Sequence, residues 1–100
     1  MAYENGRMDA TLAAAAGEDA ALLAELRAAF AQSVARQVDL LARARCDGNW
    51  HIAATRLHGL GQSFHAEELS ELALRAQSAA PGDPVAVREL RAFSASLAEG

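Results

Sequence analysis

The sequence contains no lysine, so its basic side chains are nine arginines, set against thirteen acidic residues. The formal net charge is −4 and the pI is near 5.2. Aromatic residues make up only 5% of the chain, and no basic stretch is interleaved with them. Because nucleic-acid binding relies on concentrated positive charge and on aromatic stacking, this composition argues against a nucleic-acid partner.

Cysteine, proline and long apolar runs are also scarce. The one cysteine, Cys46, cannot form an internal disulfide, which suits a reducing cytosol. The first residues lack the apolar stretch of a signal peptide, and no run approaches the roughly 20 residues that cross a bilayer. We therefore expect a soluble, cytoplasmic protein that does not associate with membranes.

Helix-forming residues dominate what is present. Alanine supplies about a quarter of the chain, and it has the highest helix propensity of any residue. There are two prolines and few β-branched residues, which argues against a sheet. One hundred residues suffice for one domain with a modest core. The composition therefore predicts an all-α domain.

Apolar residues that recur at steps of three and four predict where the helices lie. The longest such stripe comprises Leu23, Leu26, Phe30, Val34, Val38 and Leu41. Four principal helices are predicted over about 20–45, 49–64, 66–79 and 84–97. A short helix that Asp9 caps and Gly17 ends precedes them, after a flexible tail over residues 1–8. Because short connections make neighbours antiparallel, residues 9–100 are expected to form an antiparallel up-down four-helix bundle with a short leading helix.

The third predicted helix contains the most informative stretch, A-T-R-L-H-G over residues 54–59. One side of this helix is apolar and includes Trp50, Leu57 and Phe64. At about 100° per residue, the opposite side carries polar residues that include three imidazoles. These polar residues are His51, Thr55, His58, Gln62 and His65.

This stretch resembles the central motif of the histidine-containing phosphotransfer (HPt) domain. In that family an Ala-His pair is followed by a variable residue, by leucine, by lysine or alanine, and by glycine; an aromatic-Gly step and a Glu-Leu pair come next. The resemblance is ungapped from Ala54 to Ser70. Upstream, the segment from Gly17 to Phe30 resembles the family's opening, and residues 47–50, D-G-N-W, resemble its G-D-W turn.

The resemblance implies a bacterial two-component phosphorelay, in which one imidazole on the third helix carries a phosphoryl group between receiver domains. Two registers of the motif are open. The ungapped register places Thr55 at the acceptor position, His58 at the lysine position and His65 at the glycine after the aromatic residue. The other register follows the family's spacing of eight residues from tryptophan to histidine, which Trp50 and His58 reproduce. It requires a three-residue deletion before Phe64.

The candidate phosphoacceptor is His58, because a threonine hydroxyl has no neighbouring base and phosphothreonine would be too stable to relay its phosphate. The candidate binding residues beside it are Thr55, Arg56, Gly59 and Gln62. The partner implied by the resemblance is a response-regulator receiver domain, a hybrid histidine kinase, or both. The protein would act as a monomer. It would need no cofactor of its own, because the receiver supplies the magnesium ion for phosphotransfer.

Two further interpretations are open. One is a pseudo-HPt domain that binds receivers or kinases without accepting phosphate, and the other is an unrelated helical adaptor. The HPt interpretation predicts a substantially exposed His58 ring, whereas an adaptor could bury it. No metal site is expected, because His51 and His65 each lie seven residues from His58, about 10.5 Å along a helix axis.

Overall fold

The computed structural model describes residues 6–99, with side-chain exposure described for residues 6–98, and every regular element in that range is an α-helix. The helices are α1 (Gly6–Ala16), α2 (Ala20–Arg43), α3 (Asp47–Ser63), α4 (Glu67–Ser78) and α5 (Pro84–Glu99). The all-α prediction is therefore confirmed. The four principal helices begin and end within a few residues of their predicted bounds.

Local sequence signals explain several helix boundaries. Asp19 caps α2, because its carboxylate accepts a hydrogen bond of 3.0 Å from the backbone N–H of Leu22. Asp83 performs the same role for α5 through the N–H of Ala86, at 2.9 Å. Gly17 ends α1 with φ at +66°, a left-handed conformation that glycine adopts without steric cost.

The helices bury one apolar core. Helix α3 packs against α2 and α4, α5 also packs against α2 and α4, and α1 packs on α2. No polar or charged residue in the described range is buried. The largest fully buried side chains are Leu12, Val34, Leu41, Leu57, Leu69, Leu90 and Phe93. The predicted apolar stripes therefore do face the interior, with those at the helix ends only partly buried.

The N-terminal segment differs from the sequence prediction at residues 6–8. The flexible tail was expected to extend to residue 8, but α1 begins at Gly6, and Asp9 lies inside the helix instead of capping it. Two tertiary contacts extend the helix: Met8 is buried in the core, and Arg7 forms an ion pair with Glu67 at the start of α4. Residues 1–5 of the predicted tail lie outside the described residues.

The predicted turn over residues 47–49 is also different, because these residues form the first turn of α3. The backbone N–H of Trp50 already donates to the carbonyl of Cys46, at 3.1 Å. The carboxylate of Asp47 lies in this first turn, where the helix dipole favours negative charge. The connection from α2 is consequently only three residues long, over 44–46.

Candidate functional site

Helix α3 is fixed at both ends against α4. Near its start, the buried indole N–H of Trp50 donates to the carbonyl oxygen of Ala76, at 2.7 Å. Near its end, Gly61 lies so close to Ser70 that an added Cβ would be 2.7 Å from the Ser70 backbone nitrogen. These two contacts determine the rotation of α3, and hence which of its side chains face solvent.

The polar side predicted for α3 does face solvent over most of its length. Thr55, Arg56, Gly59 and Gln62, the four predicted binding residues, are all exposed. Gly59 has open space where a side chain would be. The structure therefore brings the predicted binding residues to one accessible surface of α3.

Thr55 occupies the middle of this surface, and its hydroxyl is not hydrogen-bonded to a base within the described residues. Its hydroxyl oxygen accepts a hydrogen bond of 3.3 Å from the side-chain amide of Gln77 on α4. An amide nitrogen can donate but cannot take up a proton at neutral pH. Thr55 is thus held in place by its neighbour without being activated as a nucleophile.

His58 lies at the edge of the exposed surface, about 60° around the helix from Thr55. It is partly buried, which is less exposure than the sequence predicts. Its Nε2 lies 3.2 Å from the side-chain nitrogen of Gln62, one turn further along the helix. Because an amide nitrogen only donates, this contact leaves the lone pair on Nε2 and the ring proton on Nδ1. That tautomer keeps Nε2 chemically able to attack an electrophile.

The other two imidazoles are placed differently. His51 is exposed on the first half of α3. His65 was predicted on the same side of the helix, but it lies beyond the end of α3, in the turn before α4. It is the one non-glycine residue of the described range with positive φ, at +55°.

The side chain of His65 connects this turn to α1. Its Nδ1 lies 2.8 Å from the hydroxyl of Thr11. That hydroxyl donates its single proton to the carbonyl oxygen of Arg7, at 2.9 Å. The Thr11 oxygen must therefore accept from His65 Nδ1–H. This imidazole is engaged in holding α1 onto the α3–α4 turn.

Within residues 6–98, no group of three or more histidine, cysteine or acidic side chains is arranged to hold a metal ion. The helices of the described range also include none that is both long and apolar enough to cross a bilayer. The polar side chains of the predicted site are an imidazole, a hydroxyl, an amide and a guanidinium, on His58, Thr55, Gln62 and Arg56 respectively.

The sequence interpretation missed two residues near this surface. Gln77 reaches Thr55 from α4, and Arg36 lies beside Arg56 along a groove between α2 and α3. Both depend on how two helices are rotated relative to each other. Periodicity along one helix carries no information on that rotation. The one signal in the sequence is that Gln77 is a polar residue next to the apolar stripe of α4.

Comparison of the chain with protein-family models, with curated proteins and with solved structures gives no significant match. The assignment of a function therefore depends on the residues and geometry described above.

Proposed function

We propose that the protein is an HPt-type signalling domain that docks response-regulator receiver domains through the exposed surface of α3 and relays a phosphoryl group through His58. In this proposal α2 to α5 form an antiparallel up-down four-helix bundle, with α1 as the short leading helix. The closed ring of packed neighbours and the short connections support that arrangement. The domain would work in the cytoplasm as a monomer, with a receiver domain or a hybrid histidine kinase as its partner.

The observation that carries the HPt assignment, as distinct from the choice of His58 as acceptor, is the backbone conformation of His65. The ungapped register aligns this residue with a glycine of the HPt motif. Its φ of +55° lies in the left-handed region, where glycine is favoured and a residue with a Cβ costs about 1–2 kcal/mol. The aligned family glycine thus falls on the one non-glycine residue of the described range that has positive φ, and this agreement supports the ungapped register.

The contact between α3 and α4 gives independent support. Gly61 lies two residues before the end of α3 and leaves no space for a side chain beside Ser70. The two helices on which a docking surface would depend are thereby closely packed. A rigid helix is what phosphotransfer requires, because the accepting nitrogen must approach the receiver's aspartyl phosphate in line.

The chemistry proposed for His58 needs little from this protein. The Nε2 lone pair attacks phosphorus, the bond from phosphorus to the receiver's carboxylate oxygen breaks, and a carboxylate remains on the receiver. Gln62 would release Nε2 before the transfer and could then donate to a phosphoryl oxygen. The receiver supplies the magnesium ion, and the exposed guanidinium of Arg56 is available for its acidic surface.

The second candidate is the pseudo-HPt domain, which docks receivers without accepting phosphate. Two observations favour it: Thr55 holds the central position of the exposed surface, and His58 is partly buried at its edge. Both candidates share the docking surface and differ only in the phosphotransfer step. They can therefore be separated by one set of variants.

The test is transfer of radiolabel from a panel of phosphorylated receiver domains to the protein, with receiver binding measured in parallel. We expect acid-labile labelling of the wild type and of His51→Ala, but none of His58→Ala. His51→Ala is the matched control, because it removes another exposed imidazole from the same helix.

Three other outcomes have distinct meanings. Binding without labelling of any of these proteins would establish the pseudo-HPt alternative. In that case Thr55→His should create an acceptor, because the ungapped register places residue 55 at the docking centre. Labelling of His58→Ala as strong as that of the wild type would remove His58 as the acceptor. Failure to bind any receiver would refute the HPt proposal and leave the unrelated helical adaptor.

A further inference from the structure

A groove runs along the boundary between α2 and α3, and His58 does not line it. It consists of two adjoining pockets of about 470 and 390 Å³, which share Gln37 and Arg56 in their walls. The groove extends from Asn49 near the start of α3 to Phe64 at its end. Fifteen residues of helix correspond to about 22 Å, so the groove is long enough for a segment of another protein.

The walls of this groove are positively charged although the protein is acidic. Arg36, Arg43 and Arg56 line the groove, and no acidic residue does, in a chain of net charge −4. Arg43 forms an ion pair of 3.0 Å with Asp39. Arg36 and Arg56 are exposed and have no ion pair or hydrogen bond within the described range. Two guanidinium groups are thus available on the same groove.

Apolar side chains lie between these charges. Leu40 is 39% exposed and Ile52 is 48% exposed, and both line the same pocket. At the other end, the partly buried Leu60 and Phe64 form part of the floor. The groove therefore combines aliphatic surface with unpaired cations, a combination typical of protein-binding sites.

One polar atom in the groove wall lacks a partner. The side-chain oxygen of Gln37 is buried and accepts no hydrogen bond within the described residues. Gln37 lies where the two pockets meet. Because an unpaired buried acceptor is unfavourable, its side chain would gain by turning toward a donor from a bound segment.

We propose that this groove docks an acidic amphipathic helix of a protein partner. Its glutamate or aspartate side chains would pair with Arg36 and Arg56, and its aliphatic side chains would cover Leu40 and Ile52. Grooves between two helices accept a third helix through such periodic apolar anchors. Nucleic acid fits less well, because the net charge is −4 and the ring of Phe64 is already packed on Phe30 at a centroid distance of 4.7 Å. The proposal goes beyond phosphotransfer: the groove shares Arg56 and Gly59 with the receiver-docking surface proposed above, but binding there requires no phosphoacceptor.

The test uses a fluorescein-labelled helical peptide of about 15 residues, the length that spans the groove. Its leucines recur at steps of three and four, and its remaining positions are mostly glutamate and alanine. Fluorescence anisotropy with the full chain should show saturable binding that weakens as salt is added, because the cations are exposed. The same peptide with lysine in place of glutamate should bind at least about tenfold more weakly.

Charge-reversal variants distinguish binding in the groove from a general effect of the net charge. Arg36→Glu with Arg56→Glu should weaken binding of the acidic peptide by at least about tenfold. Arg88→Glu with Arg91→Glu is the matched control, because these exposed arginines lie on α5 and the net charge of the two double variants is identical. The control should stay within about twofold of the wild type, and circular dichroism should show that both variants remain helical.

A second pair tests the apolar part of the groove. Ile52→Ala should weaken binding several-fold, and Leu74→Ala on α4 should not, although both side chains are 48% exposed. The proposal is overturned if the wild type does not bind the acidic peptide, or if both arginine double variants weaken it equally. Preferential binding of a labelled single-stranded oligonucleotide would overturn it as well, by assigning the groove to nucleic acid.

Discussion

Gly61 and Gly59 form a natural matched pair for measuring how closely α3 packs on α4. Both lie in the second half of α3, where replacing glycine by alanine is worth about 1 kcal/mol in intrinsic helix propensity. They differ in what a new Cβ would meet. At Gly59 there is open space within 4 Å, whereas at Gly61 the Cβ would be 2.7 Å from the backbone nitrogen and 3.0 Å from the Cα of Ser70.

The expected changes in the free energy of unfolding follow from that difference. Gly59→Ala should raise the free energy of unfolding by about 0.5–1 kcal/mol. Gly61→Ala gains the same propensity, but it forces the two helices apart at a cost of about 1–3 kcal/mol. The Ser70 backbone cannot yield easily, because its N–H donates to the carbonyl of Ala66 in the first turn of α4. We therefore expect Gly61→Ala to be less stable than Gly59→Ala by about 1–3 kcal/mol.

Urea denaturation followed by circular dichroism measures this difference. With a slope of about 1 kcal/mol per molar, the two midpoints should differ by about 1–3 M, with equal slopes. Combining Gly61→Ala with Ser70→Ala should restore only part of the loss, because the conflict involves backbone atoms as well as the hydroxyl. Equal midpoints for Gly59→Ala and Gly61→Ala would refute the close packing of α3 on α4.

Three further predictions concern single contacts. Trp50→Phe should lower the free energy of unfolding by about 0.5–1.5 kcal/mol, measured in urea, because the carbonyl of Ala76 loses the indole donor and keeps only its bond from the N–H of Ala79. Leu57→Ala should cost about 2–5 kcal/mol, since this side chain is fully buried; a thermal or urea shift equivalent to less than about 1 kcal/mol would contradict the placement of this face of α3. His65→Gly should be more stable than His65→Ala by about 1–2 kcal/mol, because neither keeps the bond to Thr11 and only glycine relieves the positive φ; the reverse order in the same denaturation assay would contradict the backbone conformation.

The helices were predictable because their signals are local. Apolar residues at steps of three and four identify the buried side of each helix, and Asp19 and Asp83 cap helices through bonds that span only three residues. The start of α1 was not predictable in this way. It depends on Arg7 reaching Glu67 across 60 residues of chain, and on the burial of Met8.

The candidate site was predictable only as far as one helix determines it. Thr55, Gln62 and Gly59 share the exposed side of α3 because of helical geometry alone. The partial burial of His58 depends on how α3 is rotated against its neighbours, and the position of Arg36 beside Arg56 on one groove depends on α2. Neither relation leaves a pattern within a single segment, so neither could be read from the sequence.

The rotation of α3 determines whether Thr55 or His58 holds the centre of its exposed surface, and it is set by contacts of other residues. Thr55 and His58 are separated by about 60° around the helix. Turning α3 by that angle would exchange the central position between them. The indole of Trp50 on the Ala76 carbonyl and the contact of Gly61 with Ser70 oppose such a turn at opposite ends of the helix. With α3 held in this rotation, a partner that docks on the centre of the exposed surface contacts Thr55, and the His58 ring lies to one side of that centre.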